Sequence, residues 1–243
     1  MDSPVKDKAP PGWFATHAEM RTDCYVMLAS LLTQQPSESL MSTLQGLRWN
    51  EAIPEKVKNA LEALRDAAHD FTLGAVEEEF GRLFVGLGRG ELVPYASWYR
   101  EKRVQSAPLV SLRSDLIRLG IVRKEESYEQ EDHAGALCEI MALVSQKEYQ
   151  IPLAMQAGFF VDHLGSWMIA FFDDLQKAKS AGFYRAVGVF GRYFLESEQE
   201  YLKHSANGEA SDRAGPDRPH STYRPYSEAP LDPENKGGIK HES

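Results

Sequence analysis

Apolar residues recur along this chain at intervals of three and four, and that period decides the fold class. Val57, Leu61, Leu64, Ala68 and Phe71 follow a 4-3-4-3 spacing, which lines one face of an α-helix. Arg21, Tyr25, Leu28 and Leu32 share a face in the same way, with Met27 and Leu31 beside them. The period reappears through Leu109, Leu112, Leu116 and Leu119, and through Val187, Phe190, Phe194 and Tyr201. No stretch alternates as a strand does, and no repeat of solenoid period is present. The reading is all-α: a single helical domain of about eight helices with a disordered C-terminal tail.

Local punctuation sets the expected helix ends. The first helix runs from Phe14 to Leu32 and stops at Gln35 and Pro36. Ser37 is the N-cap of a short second helix reaching Leu47. Pro54 opens a third, since a missing N–H costs nothing in a first turn. A fourth begins near Leu73. The fifth closes at Gly120 as the residue after its C-cap. The sixth spans Asp132–Glu148, and the seventh runs unbroken from Pro152 to Phe172. That seventh helix is apolar on most sides, so it is expected to be central and buried. The eighth covers Ala181–Lys203.

One stretch breaks the pattern. Val76, Phe80, Leu83 and Phe84 form a helical apolar face, and then Gly86, Gly88 and Gly90 follow at alternate positions. Glycine tolerates positive φ, so a sharply turning loop is expected. Pro94 restricts Val93 and fixes its own φ. Tyr95, Ser97, Trp98 and Tyr99 follow, and aromatic surface of that size is either buried or offered to a partner.

At both ends the composition changes. Residues 1–12 are polar and carry three prolines, which predicts a flexible arm. From Ser205 to Ser243 the only aliphatic residues of size are Leu231 and Ile239. Such a tail cannot offset the entropy of ordering, although Tyr223 and Tyr226 could dock on the body or a partner. The domain is therefore drawn as residues 13–204.

Charge and cysteines narrow the function. A formal net charge of −9 and a pI near 5.3 argue against nucleic acid, whose phosphates need a basic face. They are compatible with a basic peptide. Cys24 and Cys138 lack C-x-x-C spacing and lie in apolar helical patterns, which reads as two buried free thiols in a reducing compartment. The N-terminus has no apolar core of a signal peptide, and no apolar run approaches the roughly 18 residues of a membrane span. Cytoplasmic localisation is expected.

Two further motifs carry chemistry. Glu129, Glu131, Asp132 and His133 stand at the mouth of the sixth predicted helix. Acidic residues there favour the helix dipole and cap free N–H groups, which accounts for Glu131 and Asp132 but not for His133. His163 and Trp167, four apart, share a face of the seventh. A core histidine beside a core tryptophan is the simpler account of that pair.

Taken in order, Leu83-Phe84, Gly86, Gly88, Pro94-Tyr95, Ser97 and Tyr99, then Glu129, Asp132-His133, then His163-Leu164 and Trp167 resemble the TorD/DmsD (NarJ-like) family of redox-enzyme maturation chaperones. The resemblance covers residues 14–203. It departs from the family's E-P-x-D-H at Gln130, where proline is usual. It implies an all-helical cytoplasmic chaperone that binds the twin-arginine signal peptide and the apo-form of a molybdopterin oxidoreductase. Such a protein assists cofactor insertion and delays export, and it needs no catalysis, cofactor or metal of its own. An apolar peptide segment would suit a groove walled by Phe84, Tyr95, Trp98 and Trp167. A positively charged end would suit Glu129 and Asp132. Ser97 and His133 would hydrogen-bond peptide backbone, with Pro94, Tyr99 and His163 completing the set.

Enzyme readings fit less well. A ferritin-like site needs Glu-x-x-His, but Gln130 precedes His133 by three and Phe160 precedes His163 by three. The Gly86–Gly90 segment lacks the Lys-Ser/Thr of a P-loop and follows no strand. The rivals are a metal-dependent all-α enzyme using His133 or His163, and a helical adaptor unrelated to molybdoenzymes. Monomer and domain-swapped dimer are both compatible with long helices joined by a glycine-rich hinge.

Overall fold

The structure is a computed structural model, and it describes residues 17–49, 53–86, 90–102, 107–121, 130–146 and 149–212. Among these residues there are ten α-helices and two π-helical turns. They are α1 (His17–Thr33), α2 (Glu38–Gln45), α3 (Glu55–Asp70), α4 (Leu73–Phe80), α5 (Ala96–Glu101), α6 (Ala107–Arg118), α7 (Ala134–Val144), α8 (Leu153–Phe160), α9 (Met168–Lys177) and α10 (Phe183–Asp212). The π turns, Gly81–Val85 and Val161–Gly165, extend α4 and α8. The described residues contain no strand; Tyr95 and His133 form an isolated antiparallel bridge. The fold is all-α.

Local chemistry sets some of the ends. The Ser37 side chain accepts from Leu40 N at 3.2 Å, so it caps α2. Gly120 stands at φ 70° after α6, the left-handed conformation that ends a helix. The seventh predicted helix is not continuous. It is α8, a π turn, a break at Ser166–Trp167, and then α9. A π turn shifts the apolar phase by one residue, and in a segment apolar on most sides that shift leaves no clear mark in the sequence. Nor is that segment buried all round, since Met155 and Val161 are exposed. The short helix α5 was not expected. The sixth predicted helix begins two residues later than drawn, at Ala134, and the eighth extends to Asp212. The 1–12 arm and the tail beyond 212 lie outside the described residues.

The hub is α10, which packs on α3, α8 and α9, while α1 packs on α7 and α10. Phe172, Phe183, Tyr184, Phe190 and Phe194 fill the space between them and are fully buried. A polar cluster crosses this core. Arg21 of α1, 2% exposed, meets Glu198 of α10, also 2%, with Nη2–Oε1 at 2.7 Å and Nε–Oε2 at 2.8 Å. Arg21 Nη2 donates to Gln156 Oε1 of α8 at 2.9 Å, and Tyr25 OH donates to Glu198. Burial alone would lower the Arg21 pKa, but the hydrogen bonds and charge of Glu198 outweigh it and hold the guanidinium charged. A pair so deep persists because every partner is satisfied.

Candidate functional site

The site begins where α4 gives way to the π turn. Gly86 N bonds to Gly81 O at 2.8 Å, the i to i+5 pattern, and Gly86 stands at φ 60°. The turn leaves the Arg82 and Leu83 carbonyls facing the returning chain. Glu91 N bonds to Arg82 O at 3.1 Å and Leu92 N to Leu83 O at 2.8 Å. This pairing draws the backbones so close that a Cβ on Gly90 would lie 2.4 Å from Leu83 O. Only glycine fits there. The Glu91 carboxylate accepts from Lys179 N at 2.6 Å and Ser180 N at 3.1 Å. Its slight burial would raise its pKa, but the Lys179 and Ser180 groups lower it below the usual carboxylate value.

Pro94 is buried and Tyr95 half-buried, and here the chain meets the turn before α7. Ala96 N donates to Asp132 O at 2.9 Å, and Ala134 N donates to Pro94 O at 2.8 Å. The Asp132 carboxylate, wholly buried, accepts from Ser97 N through Oδ2 at 3.0 Å. Asp132 thus caps α5 from a segment 35 residues away. The 130–133 turn is closed by His133 N to Gln130 O at 3.0 Å. His133 Nδ1 accepts from Gly135 N at 3.1 Å and so caps α7, with its ring 5.0 Å from that of Tyr95. Glu131 is tied to Arg113 of α6 by two bonds of 3.1 and 3.0 Å. Two motifs far apart in sequence are one feature in space, a seam between residues 94–97 and 130–134.

The other predicted residues divide among neighbouring clusters. Phe84 stacks edge-on with Phe80 and Tyr184, at 5.1 and 5.3 Å between ring centres. Trp98 is half-buried, with the Lys102 ammonium 5.8 Å from its ring centre. Tyr99 lies 5.3 Å from Trp167, and its hydroxyl donates to Asp174 at 2.9 Å. Burial, together with that carboxylate, pushes the Tyr99 pKa up. Trp167 is buried and donates Nε1 to His163 O at 2.7 Å. His163 is buried in the second π turn, with Nε2 2.8 Å from Asp115 Oδ2 of α6. His163 and Trp167 do not share a face of one continuous α-helix: the π turn intervenes, Trp167 meets the His163 carbonyl, and the histidine ring serves a tie to α6. Glu129 lies outside the described residues.

Sequence reasoning missed three participants. Asp115 and Arg113 lie on α6, and nothing local in the sequence marks their partners. Glu79, 3% exposed, accepts from Gly182 N, Phe183 N and Tyr184 N at 2.8, 3.0 and 2.7 Å and so caps the hub helix. A lone acid on an apolar helix face, next to Phe80, was the available signal. Among the described residues no group of three or more His, Cys, Asp or Glu side chains is placed to hold a metal. No helix among them is long and apolar enough to cross a membrane.

Comparison with known proteins gives a consistent family. The nitrate reductase delta subunit family matches residues 50–173, just over half of the chain. A TorD chaperone protein of Vibrio cholerae serotype O1 (strain O395) is 26% identical over 204 residues, covering 76% of this chain and 92% of that protein. The TorD chaperone of Aliivibrio salmonicida is 25% identical over 205 residues, covering 76% and 95%. A crystal structure from Archaeoglobus fulgidus, described as a redox enzyme maturation protein, aligns with a TM-score of 0.49 at 18% identity, covering 75% of this chain and 96% of that one. The matched region contains the glycine loop, the seam and the second π turn, and on that match the chain belongs to the nitrate reductase delta subunit (TorD/NarJ-like) family.

Proposed function

We propose that this protein is a cytoplasmic maturation chaperone that holds the twin-arginine signal peptide and the apo-form of a molybdopterin oxidoreductase. It keeps the client open for cofactor insertion and delays its export. Family membership and relatives named TorD chaperones support the maturation role. The observation that carries the peptide-binding part is the seam, where Pro94–Ser97 and Asp132–Ala134 are joined by reciprocal main-chain bonds. It unites an aromatic segment with a carboxylate, the two chemistries that an apolar, arginine-bearing peptide needs. No covalent step is required, so the protein is read as a binder and not an enzyme.

The test is titration calorimetry of the full-length chain with three synthetic peptides: an arginine pair before an apolar run, the same run with a lysine pair, and the run alone. The arginine peptide is expected to bind tightest, because a guanidinium engages a carboxylate bidentately where an ammonium acts as a point charge. Equal binding of all three, or none, would remove the signal-peptide reading. Affinity capture from the native cell should yield a molybdopterin oxidoreductase, and its absence would remove the client class.

A further inference from the structure

Three polar atoms at the seam are buried and meet no hydrogen-bonding partner among the described residues: Asp132 Oδ1, Ser97 Oγ and Gln130 Oε1. Their immediate neighbours are engaged. Asp132 Oδ2 accepts from Ser97 N, Gln130 O accepts from His133 N, and the Glu131 carboxylate holds Arg113. Ser97 and Asp132 are wholly buried, at 0% exposure. Orphaned buried groups are rare and call for a cause.

The three atoms define what would satisfy them. Asp132 Oδ1 and Gln130 Oε1 only accept, the Ser97 hydroxyl can do either, and Asp132 brings negative charge. The complement is a cation with several N–H donors spread in a plane. A guanidinium has five donors in a fixed fork, whereas an ammonium is compact and strongly hydrated. We propose that Gln130, with Asp132 and Ser97, forms a guanidinium-selective subsite at the seam, and that the Gln130 carboxamide is the acceptor that separates arginine from lysine. This inference rests on the proposed peptide-binding function, and its occupant is an arginine side chain of the client peptide. Entry requires the seam to part, exchanging the Ala96–Asp132 and Ala134–Pro94 bonds for bonds to the peptide. Proline at position 130, as in the resembling motif, would offer no side-chain acceptor, so the subsite belongs to this chain and not to the motif at large.

The test uses the full-length chain, its Gln130→Ala and Gln130→Glu variants, and the arginine-pair and lysine-pair peptides. Gln130→Ala is expected to weaken the arginine peptide about tenfold, the loss of one hydrogen bond to a charged group, and the lysine peptide by less than about threefold. Gln130→Glu keeps an oxygen acceptor and is expected to retain arginine binding. The Gln130 main-chain bond to His133 N survives both changes, and unchanged melting temperatures would confirm the fold. Equal weakening of both peptides, or of neither, overturns the subsite while leaving the peptide-binding reading intact. If the wild-type chain binds neither peptide, that reading fails, and arginine amide against lysine amide decides the subsite alone. Shifts of the Ser97, Asp132 and Ala134 amide resonances with arginine amide only, lost in Gln130→Ala, support it. No shift, or equal shifts with both amides, overturns it.

Discussion

Carboxylates in this protein hold helix ends that belong to other segments. Glu79 reaches from α4 to the N–H groups of Gly182, Phe183 and Tyr184 at the start of α10, and Asp132 reaches from the 130–133 turn to α5. Removing Glu79 leaves three donors, two of them buried, without that acceptor at the start of the hub helix. Glu79→Ala is expected to cost about 2–4 kcal/mol, read from urea denaturation. Glu79→Gln, which keeps one oxygen, should cost less. The Arg21–Glu198 pair obeys a different logic, because its cost lies in leaving one charge unpaired. Arg21→Met alone is expected to destabilise by about 3–5 kcal/mol, and the double variant Arg21→Met, Glu198→Leu by less. A double variant as unstable as the single one would show that Gln156 and Tyr25, and not the charge, carry the effect.

At the scale of elements, the two π turns redirect the chain where the site is built. Each follows an eight-residue helix and ends in glycine or beside it. The first sends α4 into the glycine loop, and the second delivers His163 to α6 and its own carbonyl to Trp167. Glycines within these elements are not equivalent. A Cβ on Gly90 would meet backbone atoms at 2.4–2.7 Å, and backbone cannot yield as a side-chain tip does. Gly158, inside α8, has nothing within 4 Å. Gly90→Ala is expected to destabilise by about 2–3 kcal/mol through lifting the loop off the turn. Gly158→Ala should stabilise by up to about 1 kcal/mol through helix propensity. Thermal melting of the two variants checks the contrast, and equal effects would mean that the loop is not seated as described.

The whole molecule carries an alkaline liability. Cys24, Cys138, Tyr25, Tyr184 and Tyr99 all have pKa values raised above the ordinary 9.0 for thiols and 10.0 for phenols, with burial the first cause in each. Below these ordinary values folded and unfolded chains are equally protonated at these groups, and stability is complete. Above them the unfolded chain releases protons that the folded chain keeps, so stability falls as pH rises toward the folded-state values. The melting temperature is expected to drop progressively from pH 9 to about 11. In the Cys24→Ala, Cys138→Ala variant the early part of that drop, nearest pH 9, should be reduced. A flat profile would mean that these groups are not buried in solution.

The chain alone determined the all-α class, the faces of the long helices and the Ser37 cap. Each of these depends on neighbours within a turn or two, where the 3.6-residue period acts directly. The residues marked at positions 94–99 and 132–133 were legible as motifs, through Gly86, Gly88 and Gly90 before them, Pro94, and the acids beside Asp132. What the tertiary structure alone decided is the partnership between them. Ser97 and Asp132 are 35 residues apart, and Arg21 and Glu198 are 177 apart. No local pattern encodes such a bond, because it forms only when packing of apolar faces has brought two helices together and excluded water. The break of the seventh predicted helix was hidden for a different reason: where nearly every position is apolar, the one-residue phase shift of a π turn leaves no clear mark. The same burial that made Asp132 a helix cap left its second oxygen, Ser97 Oγ and Gln130 Oε1 without partners among the described residues, a fact of three dimensions that no spacing in the sequence announces.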